Sequence, residues 1–418
     1  MKKLLILSVA ALGADLLAKH RITRLAGLPI RAMAPAFPAV TCTAQATLRT
    51  ALAPDAHGMP ANGRYFRETM APAFWNQSAK LVHGARIWEA ARQRGARVGL
   101  YFFQQSLGEA VDEIVSPAPI HTHGGGLIMA TYQKPTRVLG VENPIPLWRY
   151  WGPLASPKVG WGIAQALIGR LQRGDAPEVM LAYLPTLDYD LQRHGPDHPR
   201  AAASLQHALR QIEAVAEAAR REGYALIIAG DYAITPTLPG ATGVAFPNRA
   251  LRESGLFATR TIRQMAYPDF YRSRAVAICD HQVALLYVQD ESASEAARAV
   301  LAALPQVESV RPGPGGEGPD WIAEAKPGCW FAWPWWQDPR EAPDYATHVD
   351  IHNKPGFDPC ELFFGRVPWH VSQAVERIRG THGRASGPGT AVAYASEVEL
   401  GLPADAEAFA RALQAAMI

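Results

Sequence analysis

Five short apolar runs, Leu4–Ala10, Ala96–Phe103, Glu178–Leu184, Tyr224–Ala229 and Gln282–Val288, alternate with segments of helical period. A run such as Leu226–Ala229 shows no polar alternation, so both its faces need cover, as in a strand inside a parallel sheet. The clearest helix stands between two such runs. From Ala201 to Arg221 the residues Leu205, Leu209, Ile212, Val215 and Ala219 fall on one stripe, Gly223 supplies a stop, and a strand follows at once. Further helices are expected over Ser292–Leu304 and Ala404–Met417. This succession predicts an α/β fold, a doubly wound, mostly parallel central sheet flanked by helices.

Composition narrows the function classes. With 418 residues, 48 % hydrophobic and 19 % charged, the chain has apolar surface enough for a large core, and disorder is excluded for most of its length. The balance of 41 basic and 38 acidic residues excludes the electrostatic footprint of a nucleic-acid-binding protein. No uninterrupted apolar stretch is long enough to span a bilayer, so no membrane partner is expected. Met1-Lys2-Lys3 and the apolar run to Ala11 read either as a short secretory leader or as a buried first strand. Cys42, Cys279, Cys329 and Cys360 lie far apart. They form neither a zinc ribbon nor a disulfide framework; a reducing compartment fits best, with a single bridge left open. Ser116–Gly126 and Arg311–Asp320 are rich in Pro and Gly and read as loops, and the Trp- and Pro-dense stretch Cys329–Trp369 reads as a cap. The expected organisation is a core over 1–310, a cap or insertion over 311–370, and a return to the core over 371–418.

The segment Phe37–Asn62 carries the most chemistry. Thr41 follows a Pro-containing approach and precedes a helical run. A hydroxyl there is either a plain N-cap or a nucleophile, favoured by the positive end of the helix dipole and by free amides that hold phosphate oxygens. Pro54, His57, Gly58 and Asn62 follow in a fixed register, with His57 sixteen residues after Thr41 and read as a structural residue of its turn. Together these residues resemble the nucleophile region of the type I phosphodiesterases and nucleotide pyrophosphatases of the alkaline phosphatase superfamily. Three later segments match that family in order: Leu184–Pro196 with Asp188, Gly195 and Pro196; Ile227–Asp231; and Thr381-His382-Gly383. The resemblance covers about 4–385.

The resemblance implies an alkaline phosphatase-like fold and a metal-dependent hydrolase of phosphate esters or diesters. Thr41 would be its nucleophile, with Asp188, Asp231 and His382 as ligands of a divalent cation (Zn²⁺, Mn²⁺ or Mg²⁺). It also implies a small phosphorylated substrate. The departures are specific. Ala10 stands where the family has an Asp, Gln192 and Tyr232 where it has His, and Ala44 where many members have Asn. Gln192 is carried as a substitute ligand, and fewer than two tightly bound ions are expected. Asp350 and His352, on one face if their segment is an alternating strand, are further metal or substrate candidates. His194, the pair Asp280-His281, and His121 with His123 are weaker ones. Tyr232 and Trp75 are read as substrate contacts, with Trp88 as a second stacking candidate. The eroded ligand set keeps two alternatives open: a catalytically silent member that binds a ligand or partner, and a one-metal hydrolase of another ester class. Because Leu4–Ala10 matches the family's central first strand, cleavage there would remove the middle of the sheet. A cytoplasmic protein is therefore expected, with export as the alternative.

Overall fold

The computed structural model describes residues 3–143 and 145–417. The chain first lays down β1 (Lys3–Val9), β2 (Arg31–Met33), β3 (Val98–Tyr101), β4 (Glu113–Pro117), β5 (Thr131–Lys134), β6 (Val179–Leu184) and β7 (Tyr224–Gly230). A separate sheet follows, made of β8 (Ala275–Asp280), β9 (Val283–Val288), β10 (Val307–Pro312) and β11 (Trp321–Ala325), and β12 (Val392–Ser396) returns to the first sheet. The central sheet has eight strands in the order β5-β4-β3-β6-β1-β7-β12-β2. Strands β4, β3, β6, β1 and β7 run parallel, and the outer strands are antiparallel to their neighbours. The run that also reads as a leader is thus the middle of this sheet, hydrogen-bonded on both sides.

The helices that matter here are α1 (Thr41–Thr50), α2 (Pro157–Leu171), α3 (Asp188–His194), α4 (Pro199–Arg221), α5 (Ser294–Ala302) and α6 (Ala406–Ala416). Helix α4 begins with Pro at its first position, where no amide partner is needed, and buries Leu205, Ile212, Val215 and Ala219 as its stripe requires. Helix α1 obeys a different rule. All ten of its residues are buried although six, Thr41, Thr43, Gln45, Thr47, Arg49 and Thr50, carry polar side chains. Several of these polar groups are bonded locally: Thr43 to the Met59 carbonyl (2.9 Å), Thr50 to the Ala46 carbonyl (2.8 Å), and the Arg49 guanidinium to the Gln45 and Gln105 carbonyls (3.2 and 2.8 Å). Burial of a polar helix is tolerable only on those terms.

Three sequence expectations are corrected. Gln282–Val288 does contain a strand, β9, but it belongs to the second, antiparallel sheet. The run expected as a loop from Ser116 includes the end of β4, and its Ile120–His121 pairs with Leu127–Ile128 as a short hairpin. The Trp-rich segment is not set apart. Trp330 and Phe331 pair with Val244 and Ala245, and Trp333, Trp335 and Trp336 pack edge to face inside the core under the second sheet. Residue 310 lies within β10, so the second sheet extends across the expected start of the cap. No helix among the described residues is long and apolar enough to cross a membrane. All four cysteines are buried and unpaired.

Close backbone approach at the end of β7 admits only glycine there. A Cβ on Gly230 would lie 2.5 Å from the Leu12 carbonyl oxygen, a backbone atom that cannot step aside. Gly230→Ala is therefore expected to cost about 1–3 kcal/mol, read from urea denaturation; a variant as stable as the parent would contradict this packing.

Candidate active site

The parallel strands deliver the polar groups to one edge. Strand β6 ends at Leu184 and leads into α3, whose first residue is Asp188; β7 ends at Gly230, and Asp231 and Tyr232 follow. Carboxylates at the carboxyl ends of parallel strands line the crevice of an open α/β sheet. His382 arrives on a different element, just after the two-residue strand Gly380–Thr381. That strand can lie against α3 only because Gly380 has no side chain, since a Cβ would meet the Leu191 carbonyl oxygen at 2.1 Å. Thr41 is the first residue of α1, with Val40 as the N-cap, so its hydroxyl does not cap the helix.

Asp231 is 5 % exposed. Its Oδ1 accepts from the Ala11 and Tyr232 amides (3.1 and 2.8 Å), whereas its Oδ2 is buried with no partner. Burial pushes this carboxyl well above its ordinary value, and the nearby Asp188 adds to the shift. Asp188 is also raised by burial, partly offset by bonds from the Tyr232 hydroxyl and the Gln192 amide, which both reach its Oδ1 at 2.8 and 2.6 Å.

A stack of rings runs beside these acids. The Tyr232 ring lies on His382 at 3.8 Å and 9°, and His281 covers the other face of His382 at 3.9 Å. His382 Nδ1 is 2.8 Å from the Ala39 carbonyl oxygen, which can only accept, so this nitrogen carries the hydrogen. Burial, with His281 adding to it, holds His382 well below the usual histidine range. His281 sits at φ 56° in the two-residue turn between β8 and β9, an uncommon conformation for a residue with a side chain. Its Nδ1 meets Asp280 Oδ1 at 2.8 Å and its Nε2 lies 3.3 Å from Gln192 Oε1. Asp280 accepts from the Asn62 backbone and side-chain amides (2.8 and 3.2 Å), and Asn62 Oδ1 accepts from the Cys42 amide at 2.9 Å. The second sheet thus reaches the first turn of α1 through a continuous chain of hydrogen bonds.

Thr41 lies beside two phenols. The hydroxyls of Tyr183 and Tyr232 are both driven up by burial and by Asp188 and Asp231, with Thr41 as a neighbour that eases the shift. Tyr150 and Tyr189 are buried nearby, and neither hydroxyl has a hydrogen-bond partner. The next residue, Cys42, is pushed up to about 12 by burial, so it is a thiol and not a competing nucleophile. Tyr183, Tyr150 and Tyr189 had no signal in the sequence beyond their type.

The other sequence candidates lie elsewhere. Asp350 and His352 are in turns and not on a strand, so the alternation argument fails. They line a groove with Pro117, Met129, Tyr150 and Trp151, and His352 Nδ1 meets the Trp75 carbonyl at 3.2 Å. Trp75 forms the rim of the adjoining hollow with His121 and Asn353. Trp88 is 1 % exposed and has no stacking face to offer. His194 stacks on His198 at 4.8 Å, and it lines a surface groove with Arg200 and His207. His57 is a structural residue: its Nδ1 accepts from the Met59 amide, its Nε2 meets Thr47 at 3.0 Å, and burial takes it down to about 3.

The donors do not fit a pair of divalent cations. Ala10 offers no ligand, Tyr232 turns a phenol to Asp188, and Gln192 presents its amide nitrogen to the same oxygen. Among the described residues no group of three His, Cys, Asp or Glu side chains stands together to hold a metal ion.

Comparison with known proteins agrees with the fold and with the family. A profile of the family described as type I phosphodiesterase / nucleotide pyrophosphatase matches residues 4–358. No curated protein matches the chain. Human ectonucleotide pyrophosphatase / phosphodiesterase 5 is similar in structure with a TM-score of 0.63 at 14 % identity, covering 100 % of this chain and 95 % of its own. The murine protein of that name gives 0.61 at 14 % identity, again over 100 % and 95 %. Phosphonoacetate hydrolase from Sinorhizobium meliloti 1021, in complex with phosphonoformate, gives 0.61 at 15 % identity over 99 % of this chain and 96 % of its own. The profile's family is typically metal-dependent.

The raised Asp231 carboxyl makes a pH prediction. In the unfolded chain it ionises near 3.8, while in the fold it keeps its proton to much higher pH. The native state then binds the extra proton, and its stability falls as pH rises from that value, by up to about 1.4 kcal/mol per pH unit. Asp231→Asn removes this contribution. Urea denaturation at pH 5 and pH 7 should show the variant gaining on the parent at the higher pH, whereas equal pH dependence would contradict the assignment.

Proposed function

Because the chain belongs to the type I phosphodiesterase / nucleotide pyrophosphatase family, a family of hydrolases, we propose that it cleaves small phosphate esters or diesters with Thr41 as nucleophile. The observation that carries this reading is the position of Thr41. It opens a fully buried helix, at the positive end of the dipole, against the Tyr183 and Tyr232 phenols, which in turn lie near Asp188 and Asp231. A threonine-to-alanine variant of the murine structural relative is described as inactive and in complex with AMP, which supports the choice of residue. The Thr41 oxygen would attack phosphorus in line as the bond to the leaving alcohol breaks, the hydroxyl proton ending on the departing oxygen, and water would then cleave the phosphothreonine to give back the Thr41 hydroxyl and release the phosphate. The helix terminus and the phenol hydroxyls supply positive charge and hydrogen-bond donors to the phosphoryl oxygens. No cation enters this proposal, since the donor set does not fit one.

The groove lined by Tyr150, a neighbour of Asp188, Asp231 and Cys42, gives the organic part of the substrate a place. Pro117, Leu127, Met129, Leu147, Trp151 and Ile351 make it largely apolar, and no Lys or Arg lines it among the described residues. An uncharged alkyl or aryl group suits that lining better than a second phosphate.

A second reading is binding without turnover, favoured by the two donors that already satisfy Asp188 Oδ1. The experiment is Thr41→Ala on a panel of alkyl and aryl phosphomonoesters, phosphodiesters and phosphonates. Turnover by the parent should fall at least about 10³-fold in the variant, with an unchanged circular dichroism spectrum. Activity retained in the variant would remove Thr41 from the mechanism. No turnover by the parent, together with protection from urea by orthovanadate that Thr41→Ala loses, would establish the binding role instead.

A further inference from the structure

Tyr232 fills, with ring and hydroxyl together, the ground between an acid and a histidine. Its hydroxyl donates to Asp188 Oδ1 at 2.8 Å, and the Gln192 amide takes the same oxygen at 2.6 Å. Two short donors saturate that oxygen, so a cation could reach it only by displacing them. The ring meanwhile lies flat on His382 in van der Waals contact, and His281 closes the opposite face. The hydrogen on His382 Nδ1 is committed to Ala39, which leaves the in-plane lone pair of Nε2 as the one acceptor of this ring. Asp231 Oδ2 is buried without a partner and Asp188 Oδ2 takes no hydrogen bond, but Ala10 supplies no further ligand and no three-donor group stands together among the described residues.

We propose that Tyr232 takes the place of a cation: its hydroxyl meets Asp188 where positive charge would otherwise be needed, its ring takes up the ground beside His382, and Thr41 receives its phosphoryl ligand without metal. Such an exchange balances chemically. A buried carboxylate needs donors or positive charge, and a phenol plus an amide satisfy the first requirement. The exchange also accounts for Gln192, whose amide can donate to Asp188 on one side and face His281 on the other, a pair of contacts with opposite requirements. The hydrogen-bond chain then runs unbroken through His281, Asp280 and Asn62 to the Cys42 amide in the first turn of α1. The first turn of α1, which carries Thr41, is therefore tied to the second sheet by hydrogen bonds. The phosphoryl ligand at Thr41 rests on the proposed function, whereas the replacement of a cation by Tyr232 rests on the geometry of the buried groups and stands or falls independently of turnover.

The test uses the full chain and the metals themselves. Zn²⁺ and Mn²⁺ are titrated calorimetrically into chelator-stripped parent, Asp188→Asn, Tyr232→His and the triple variant Ala10→Asp, Gln192→His, Tyr232→His, with melting curves recorded with and without metal. The parent should take up no stoichiometric metal, behave like Asp188→Asn, and melt at the same temperature in chelator and in zinc. The triple variant should bind Zn²⁺ at least about a hundredfold more tightly than the parent and melt higher when loaded. Should it fail to fold by circular dichroism, Tyr232→His carries the same comparison. Stoichiometric uptake by the parent that Asp188→Asn abolishes would overturn the proposal, as would folded variants carrying Tyr232→His that bind metal no better than the parent.

Discussion

The parallel register of β1 between β6 and β7 decides where every functional group can be. Val9 pairs with Leu184 on one side and with Gly230 on the other, so three strands release the chain at the same level. Asp231 leaves directly from β7, and Asp188 follows β6 after a short turn at the start of α3. The Ala11 amide just past the end of β1 then bonds Asp231, which ties the exits of β1 and β7 together. A slip of one residue would turn the side chains of β1 to the opposite faces of the sheet and move that amide off the acid.

A second sheet completes the pocket from outside. The turn between β8 and β9 projects Asp280 and His281 into it, and three backbone bonds hold that turn: Gln282 to the His382 carbonyl, Phe331 to the His281 carbonyl, and Ala325 to the Gln282 carbonyl. Arg193, in α3, fixes the opposite wall by donating to the carbonyls of Gly152, Ala155 and Leu362. A buried ion pair, Lys354 with Glu361 at 2.6 Å, holds the neighbouring segment, and Trp151 donates to the same Glu361. The polar centre is thus enclosed by groups already committed to one another, which leaves little room for rearrangement without loss of bonds.

The central sheet was legible in the sequence because its strands are continuous apolar runs, a pattern that survives without knowledge of partners. Thr41, Asp188, Asp231 and His382 were singled out through motif order, and in the structure Tyr232 touches Asp188, Asp231 and His382 and neighbours Thr41. Other features were hidden for physical reasons. Helix α1 is buried on all sides, so it shows no stripe. The role of Tyr232 depends on a ring contact with a residue 150 positions away in sequence. Asp280 and His281 enter through a strained turn whose direction no periodicity reports. Asp350 and His352 looked well formed as a strand pair but lie in turns at the groove, because alternation over three residues is too short to specify a strand.

The claim that unites these features is that a phosphoryl group binds at Thr41 while Tyr232 keeps its place on Asp188. A crystal structure with orthovanadate and equimolar Zn²⁺, recorded at the zinc absorption edge, examines it directly. The account predicts vanadium bonded to the Thr41 oxygen, the Tyr232 hydroxyl still on Asp188, and no zinc peak in the pocket. Zinc ligated by Asp188 and Asp231, with the Tyr232 ring turned away from His382, would contradict it.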